Sequence, residues 1–274
     1  MHFKNVVVDQ INLGKRPTPK TELDKRKSEI QLVTEPPMNR RGKTAIGNPA
    51  YNTYHSLKGA RAVVRVGKDI ESAMIGEFSD NDTCTVSVGA SDQCVWLCSA
   101  YMDITKPVAS ETLTKLITRA NREKVPLLIG TDLNSHSEIW GCEETNSRGS
   151  DVEDLLNIHN LNLLNEGSTP TYTRGAETAT IINLTITNQT LLRTRTISEW
   201  HVDEEASLSD HKYLQYKLEK AQTKTREIRQ LDKVCWDHFR KTMEKELNSR
   251  RSGRENIHGK AHMLTKAIDK QWTK

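Results

Sequence analysis

Along the first 220 residues apolar side chains recur mainly at every second position or in short β-branched runs, and only a few stretches carry helical spacing. "NVVVDQINL" (5–13) and "IQLVTEPP" (30–37) predict strands, the second stopped by Pro36 and Pro37. Between them "RPTPKTELDKRKSE" joins two prolines to charged helix formers with few apolar anchors, which predicts a short helix at best. Residues 38–58 read as loop. "ARAVVRV", "SAMIGEF", "CTVSVG" and "CVWLCSAYMD" predict strands, and "ASETLTKLITRANREK" a helix with Leu113, Leu116 and Ile117 on one face. "LLIGTDLNSHSEIWG" (127–141) is an apolar strand that runs into a polar crowd. A helix is expected near 150–160, with capping-box spacing at Ser150 and Glu153 and Val152, Leu155 and Leu156 as its buried stripe. "TYTRGAETATIINLTITN" reads as a hairpin turning at Arg174-Gly175, and "SEWHVDE" and "KYLQYKLE" supply two more strands. Strands outnumber helices and alternate with them, which predicts a layered α/β domain. No internal repeat is visible. Beyond Lys224 the pattern changes: Trp236, Phe239, Met243 and Leu247 have amphipathic-helix spacing, "NSRRSGREN" interrupts it, and "AHMLTKAIDKQW" begins another helix. The expected division is a domain over 1–223 and a basic helical linker over 224–274.

Composition refines this picture. Apolar residues make up 35% of the 274 positions, enough for a core at this length, and charged residues 28%. No apolar run approaches the roughly 20 residues of a membrane span, and the N-terminus lacks the apolar region and cleavage site of a secretory signal. Five cysteines without a CxxC pair read as reduced intracellular thiols, with Cys94 and Cys98 as half-buried strand residues. Charge is uneven: residues 226–274 carry +6 on a chain of +4, leaving −2 for residues 1–225. Such a tail suits either a polyanion or a solvated helical face.

Candidate chemistry collects at predicted strand ends. Asn12 closes the first strand and Glu35 the second. Tyr101 follows "CVWLCSA", Asp132 and Asn134 end the 127–141 stretch, Asn183 lies within "IINLT", and Ser209-Asp210-His211 precedes the last strand. In layered α/β folds ligands sit at one end of the strands. The set suits cleavage of a phosphodiester. A hard cation such as Mg²⁺ takes one or two carboxylates and keeps waters, which suits Glu35. A second carboxylate must deprotonate water, which suits Asp132. Asn12, Asn134 and Tyr101 are neutral donors for a phosphate. An imidazolium stabilises charge on the transferring phosphoryl group, which suits His211.

"GTDLNSH", "SDH", the Asn of "QINLG" and the Glu of "LVTEP" resemble the endonuclease/exonuclease/phosphatase superfamily. "DLNSHSEIWG", "STPTYT", "INLTITN" and "SEWHV" resemble, more narrowly, the endonuclease domain of non-LTR retrotransposon polyproteins, and "LDKVCWDHF" the stretch that joins it to a reverse transcriptase. The resemblance implies a four-layer sandwich of class α/β (α+β): two packed mixed β-sheets flanked by helices, followed by the helical C-terminal tail. It implies Glu35, Asn12 and Asp210 at a Mg²⁺ or Mn²⁺ ion, and Tyr101 on the phosphate. Asp132 would activate water, Asn134 would serve the transition state, and Asp210 and His211 would form the terminal pair. His136 is expected either to contact DNA or to brace the floor of the site, and Arg148 and Arg174 to bind substrate. Double-stranded DNA is the implied partner, with element RNA through the downstream polyprotein, no membrane, and the nucleus as the site of action. His55, His159, His201 and Trp140 read as packing or surface residues.

The sequence departs from the family pattern twice. The segment between Asn12 and Glu35 is short and proline-rich. The Asp that orients the family's catalytic His falls on Asn183, and an amide holds an imidazole without stabilising its charged form. Three readings follow: an active Mg²⁺-dependent DNA endonuclease, a nucleic-acid-binding remnant with decayed catalysis, and a same-fold phosphatase. The retroelement-like segments and the basic tail argue against the last.

Overall fold

Side-chain alternation along the strands decides what lies between two stacked sheets. The computed structural model describes residues 5–56, 59–90, 94–175 and 178–220, with the pair 240–241. β1 (Val6–Asn12), β2 (Ile30–Thr34), β3 (Tyr51–Tyr54), β4 (Ala62–Gly67), β13 (Arg195–Val202) and β14 (Leu214–Lys220) form one sheet in the order β13-β14-β1-β2-β4-β3. β5 (Ser72–Met74), β6 (Thr83–Val88), β7 (Val95–Tyr101), β8 (Leu127–Asp132), β9 (Leu161–Leu163) and β12 (Asn183–Asn188) form the other, in the order β5-β6-β7-β8-β12-β9. β10 (Tyr172–Arg174) and β11 (Thr178–Thr180) make a separate hairpin. Both large sheets are mixed: β1 runs parallel to β2 and β7 to β8, while the neighbouring β1–β14 and β8–β12 pairs are antiparallel.

Every second residue of each strand faces the other sheet. Val6, Val8, Ile30, Leu32, Val64, Val66, Leu214 and Tyr216 meet Val86, Val88, Val95, Leu97 and Leu128 in one buried layer. On the far side of the first sheet, Leu23 of α1 (Pro17–Lys25) covers Ile11, Val33 and Val63. On the far side of the second, α2 (Glu111–Glu123) and α3 (Ser147–Ile158) lay Leu113, Leu116, Ile117, Val152, Leu155 and Leu156 over Cys98, Ala100, Ile129 and Leu184. The result is the four-layer α/β sandwich expected. No helix among the described residues is long and apolar enough to cross a membrane.

Several local expectations change. The short helix expected between β1 and β2 does form as the nine residues of α1, with Pro17 and Pro19 in its first turn, where a missing N–H costs nothing. The stretch 38–58 contains β3, a half-buried edge strand too polar to announce itself, anchored by Tyr51 Oη to Ser28 O and Tyr54 Oη to Ser72 O. In "SAMIGEF" the strand ends at Met74, and Gly76–Phe78 is a 3-10 turn that buries Phe78. The cap of α3 is Asn146, whose side chain accepts from Gly149 N at 2.7 Å, not Ser150; Glu153 accepts instead from Ser137 Oγ. β9 and α4 (Gln189–Thr194) are short elements without a periodic signal. Cys98 is fully buried rather than half-buried. By its contacts the chain divides into Met1–Gln222 and Thr223–Lys274; the tail helices expected from the Trp236–Leu247 spacing lie outside the described residues.

One polar group crosses the inter-sheet layer. Gln10 Nε2 donates to Leu184 O at 2.9 Å and Thr131 O at 3.3 Å, and Gln10 Oε1 accepts from Thr185 Oγ1 at 3.0 Å. Thr185 Oγ1 in turn accepts from Trp200 Nε1 at 3.0 Å. Gly130 makes room for this bridge, since a Cβ there would lie 2.7 Å from Leu32 Cδ1 and 2.8 Å from Gln10 Oε1. Gly130→Ala should therefore lower stability by about 1–3 kcal/mol through overpacking, against the gain of about 0.4–1 kcal/mol that Gly→Ala brings where space allows. Urea unfolding of both proteins checks this. Equal or higher stability of the variant would mean the sheets are not held this closely at Gly130.

Candidate active site

The inward-facing face of the sandwich turns polar toward one end of the strands. Val8, Leu97 and Leu128 belong to the apolar layer. Two residues further along their strands stand Gln10, Ser99 and Gly130, and two further again Asn12, Tyr101 and Asp132. The β7–β8 and β8–β12 registers place Tyr101 opposite Asp132 and Asp132 opposite Asn183. The polar crowd after "LLIG" thus continues the alternation of the core.

Asn12 ties the two expected carboxylates together. Its Nδ2 donates to Asp132 Oδ2 at 2.6 Å and to Glu35 Oε2 at 3.2 Å, while its Oδ1 accepts from Gly14 N at 2.7 Å. Glu35 follows β2 with φ +45°, a strained backbone for a residue with a side chain, and Lys15 Nζ lies 3.0 Å from Glu35 Oε1. Asp132 Oδ1 accepts from Asn134 N at 3.3 Å; Asn134, at φ +48°, donates its Nδ2 to Met102 O at 3.0 Å. Burial pushes the Asp132 carboxyl up to about 7 against the hydrogen bonds from Asn12 and Asn134, and nearby Glu35 adds to the rise.

His211 is held on two sides. Its Nδ1 lies 2.8 Å from Asn183 Oδ1 and 3.9 Å from Asp132 Oδ2, and the Tyr172 ring centroid stands 4.8 Å from its own. An amide oxygen only accepts, so Nδ1 carries the proton and Nε2 is the bare nitrogen. Burial draws the His211 pKa down to about 4 although Glu35 and Asp210 pull it upward. The imidazolium expected from the sequence is therefore a neutral imidazole in the free protein. Asp210 pairs with Arg16 at 2.9 Å.

These groups open into a cleft of about 1070 Å³ whose lining includes Asn12, Glu35, Asp132, Asn134, His136, Arg174, Asp210 and His211. Tyr101 stands beside it, half-buried, with the Arg61 guanidinium 4.9 Å over its ring; burial, then Glu35 and Asp132, raise its hydroxyl to about 12. Arg148 does not join the lining. Its Nε, Nη1 and Nη2 donate to the carbonyls of Leu133, Lys106, Met102 and Asp103, so the cation expected to bind substrate braces these loops instead. Sequence reasoning missed Lys15, Arg16, Thr171 and Tyr172. The basic pair directly after "NLG" was a readable signal for the first two. Thr171, whose Oγ1 accepts from Ile182 N and Asn183 N at 3.1 Å each, and Tyr172 lie in the "STPTYT" segment, but nothing local to it placed them against Asn183 and His211.

Among the described residues no group of three or more His, Cys, Asp and Glu is arranged to hold a metal. Glu35 and Asp210 carboxylate oxygens and the Asn12 amide oxygen, all on the cleft lining, offer oxygen donors only, which fits a hard divalent cation that keeps waters and does not fit a closed zinc site.

The comparisons return the family that the motifs point to. The endonuclease-reverse transcriptase family matches residues 95–215. The endonuclease domain of TRAS1, a telomere-specific non-LTR retrotransposon, superposes with a TM-score of 0.67 at 24% identity over 79% of this chain and 100% of its own. The AP endonuclease LMAP from Leishmania major gives 0.65 at 10% identity, over 80% and 89%. An endonuclease/exonuclease/phosphatase family protein from Bacteroides thetaiotaomicron gives 0.53 at 11%, over 78% and 97%. No curated protein sequence matches. The chain shares the fold of these solved structures.

The buried carboxyl gives a pH signature. Asp132 titrates near 7 in the fold and near about 3.9 in an unfolded chain. Its raised pKa costs no stability below pH 4, and the cost grows as pH rises through 7. Without divalent metal, Asp132→Asn should match the wild type near pH 4 and exceed it by up to about 4 kcal/mol at pH 8. Urea titrations at the two pH values measure this, and a difference that ignores pH would remove the buried charge from Asp132.

Proposed function

We propose that the chain is a divalent-metal-dependent DNA endonuclease that nicks double-stranded DNA for insertion of a non-LTR retroelement. The observation that carries this reading is the convergence of Asn12, Glu35, Asp132, Asn134 and His211 at one end of the inter-sheet layer. Mg²⁺ or Mn²⁺ is the implied ion, with Glu35, Asn12 and Asp210 as the residues to hold it; it would neutralise charge on the phosphate and polarise the scissile bond. Asp132, poised near neutrality, accepts the proton of the attacking water. Asn134 and Tyr101 offer neutral donors to the phosphate oxygens. His136 and Arg174, on the cleft wall, suit flanking DNA. The action would be intracellular, on nuclear DNA, with element RNA engaged through the downstream polyprotein.

Asn183 favours a second reading, a nucleic-acid-binding remnant with weakened catalysis. For His211 to donate from Nε2 it must be protonated, and the Asn183 amide gives that state no charge to lean on. The retroelement reading stands above a phosphatase because the motif segments and the matched family point to nucleic acid.

Supercoiled plasmid should be nicked in Mg²⁺ or Mn²⁺ and left intact with chelator. Asp132→Ala and His211→Ala should each cost about 10²–10⁴-fold in single-turnover rate while retaining a cooperative melt. Equal nicking by the wild type and both variants would sink the assignment.

Asn183→Asp tests the second reading. A carboxylate at this position should raise the single-turnover rate by about ten- to a thousandfold, or about 1.4–4 kcal/mol. In serine proteases an Asp→Asn change at a His-orienting position costs about 10⁴-fold, an upper guide here because a metal shares the work. No gain would show that Asn183 does not limit the reaction.

A further inference from the structure

The stretch between Glu35 and Asp69 contains no Asp or Glu and seven Lys or Arg, in a body whose net charge is otherwise slightly acidic. Two of the seven are committed internally. Arg61 pairs with Asp82 and Asp103, and the buried Arg65 pairs with Asp24. Arg40, Arg41 and Lys43 are different: all three are exposed, and none makes an ion pair or side-chain hydrogen bond among the described residues. Some exposed cations elsewhere are paired, as Lys25 is with Glu22, Lys115 with Glu111, Arg119 with Glu123 and Lys217 with Glu199. Others, Lys27, Lys68, Lys124, Arg174 and Arg193, are exposed without an ion pair among the described residues but stand singly, whereas Arg40, Arg41 and Lys43 fall within four positions.

These three cations sit on an ordered turn. Asn39 Oδ1 accepts from Arg41 N at 2.9 Å and Lys43 N at 3.0 Å; Asn39 N donates to Lys43 O and Gly42 N to Asn39 O. Gly42 has φ +68°, which an L side chain rarely adopts, so a glycine closes the turn. Below it Met38 bridges Thr44, Ala45 N donates to Pro37 O, and the buried Pro36 and Pro37 root the turn two residues after Glu35. A preformed backbone lowers the ordering cost of a contact. By chain length the tip of this turn lies at most about 22 Å from Glu35, within about six phosphates of the scissile one at about 3.4 Å of axis each.

We infer that the Asn39–Lys43 turn is a phosphate clamp that grips the DNA backbone beside the scissile site through Arg40, Arg41 and Lys43. This rests on the proposed endonuclease reading and adds to it a contact outside the cleft that positions without reading sequence. Three phosphates neutralised together release about 0.9 counterion each, which makes binding strongly salt-dependent.

The test is the salt dependence of duplex binding by the full chain, with chelator present so that no strand is cut. A 30-base-pair duplex is titrated by fluorescence anisotropy at several salt concentrations, and plasmid nicking in Mg²⁺ is measured separately. Arg40→Ala/Arg41→Ala/Lys43→Ala should weaken binding at least tenfold near 0.1 M salt and make the slope of log K against log salt shallower by about 2.7. Arg40→Lys/Arg41→Lys should restore most of that slope. Lys115→Ala/Arg119→Ala/Arg122→Ala, which removes the same charge from α2, should leave it within about 0.5 of the wild type. Equal slopes for the turn variant and the wild type, or an equal change in the α2 variant, overturn the clamp while wild-type nicking leaves the endonuclease reading standing. A wild type that neither binds nor nicks overturns both.

Discussion

The close approach of the two sheets at Gly130 is the constraint on which the site depends. Without a Cβ on β8, the Gln10 carboxamide crosses the inter-sheet layer and bonds to the carbonyls of Leu184 and Thr131. That bridge fixes β1 against β8 and β12 within hydrogen-bond tolerance. Two residues further along β1, Asn12 then meets Asp132 at 2.6 Å. An apolar residue in place of Gln10 would pack the layer and leave no directional bond to set its register. A buried polar bridge with its partners satisfied specifies a unique arrangement, which apolar packing alone does less sharply.

The electrostatics of the site follow from the same geometry. Continuing the core alternation into polar residues places Asp132 and His211 in a region with little water. Both are consequently driven toward their neutral forms, one to about 7 and the other to about 4. Asn12 and Asn183 meet these groups with amide dipoles and add no formal charge. Such a floor is short of positive charge for two carboxylates, and Lys15 on Glu35 and Arg16 on Asp210 supply some of it at the rim. A hard divalent cation would complete the balance.

Much of this was legible in the chain because strand periodicity and strand-end chemistry are local. The alternation in "NVVVDQIN" and "LLIGTD" predicted both strands and the end at which their polar residues lie. The residues expected at the site line the cleft or stand beside it, with Arg148 the exception. Its role could not be read locally, because the carbonyls of Met102, Asp103 and Lys106 come from a loop more than 40 residues away in the chain. The polar edge strand β3 and the Asn146 cap escaped for related reasons: half-burial hides an edge strand's pattern, and several polar residues competed for the helix start.

By itself the sequence determined the layered class, the order of the main strands and the types of group available for chemistry, since these depend on residues one to four positions apart. Only the tertiary structure decided which groups meet. Asn12 lies 120 residues from Asp132, and Asn183 lies 28 from His211. Their contact is set by sheet order, by register and by the clearance at Gly130. Whether His211 is charged was likewise beyond any local pattern, because burial sets that balance and burial belongs to the whole fold.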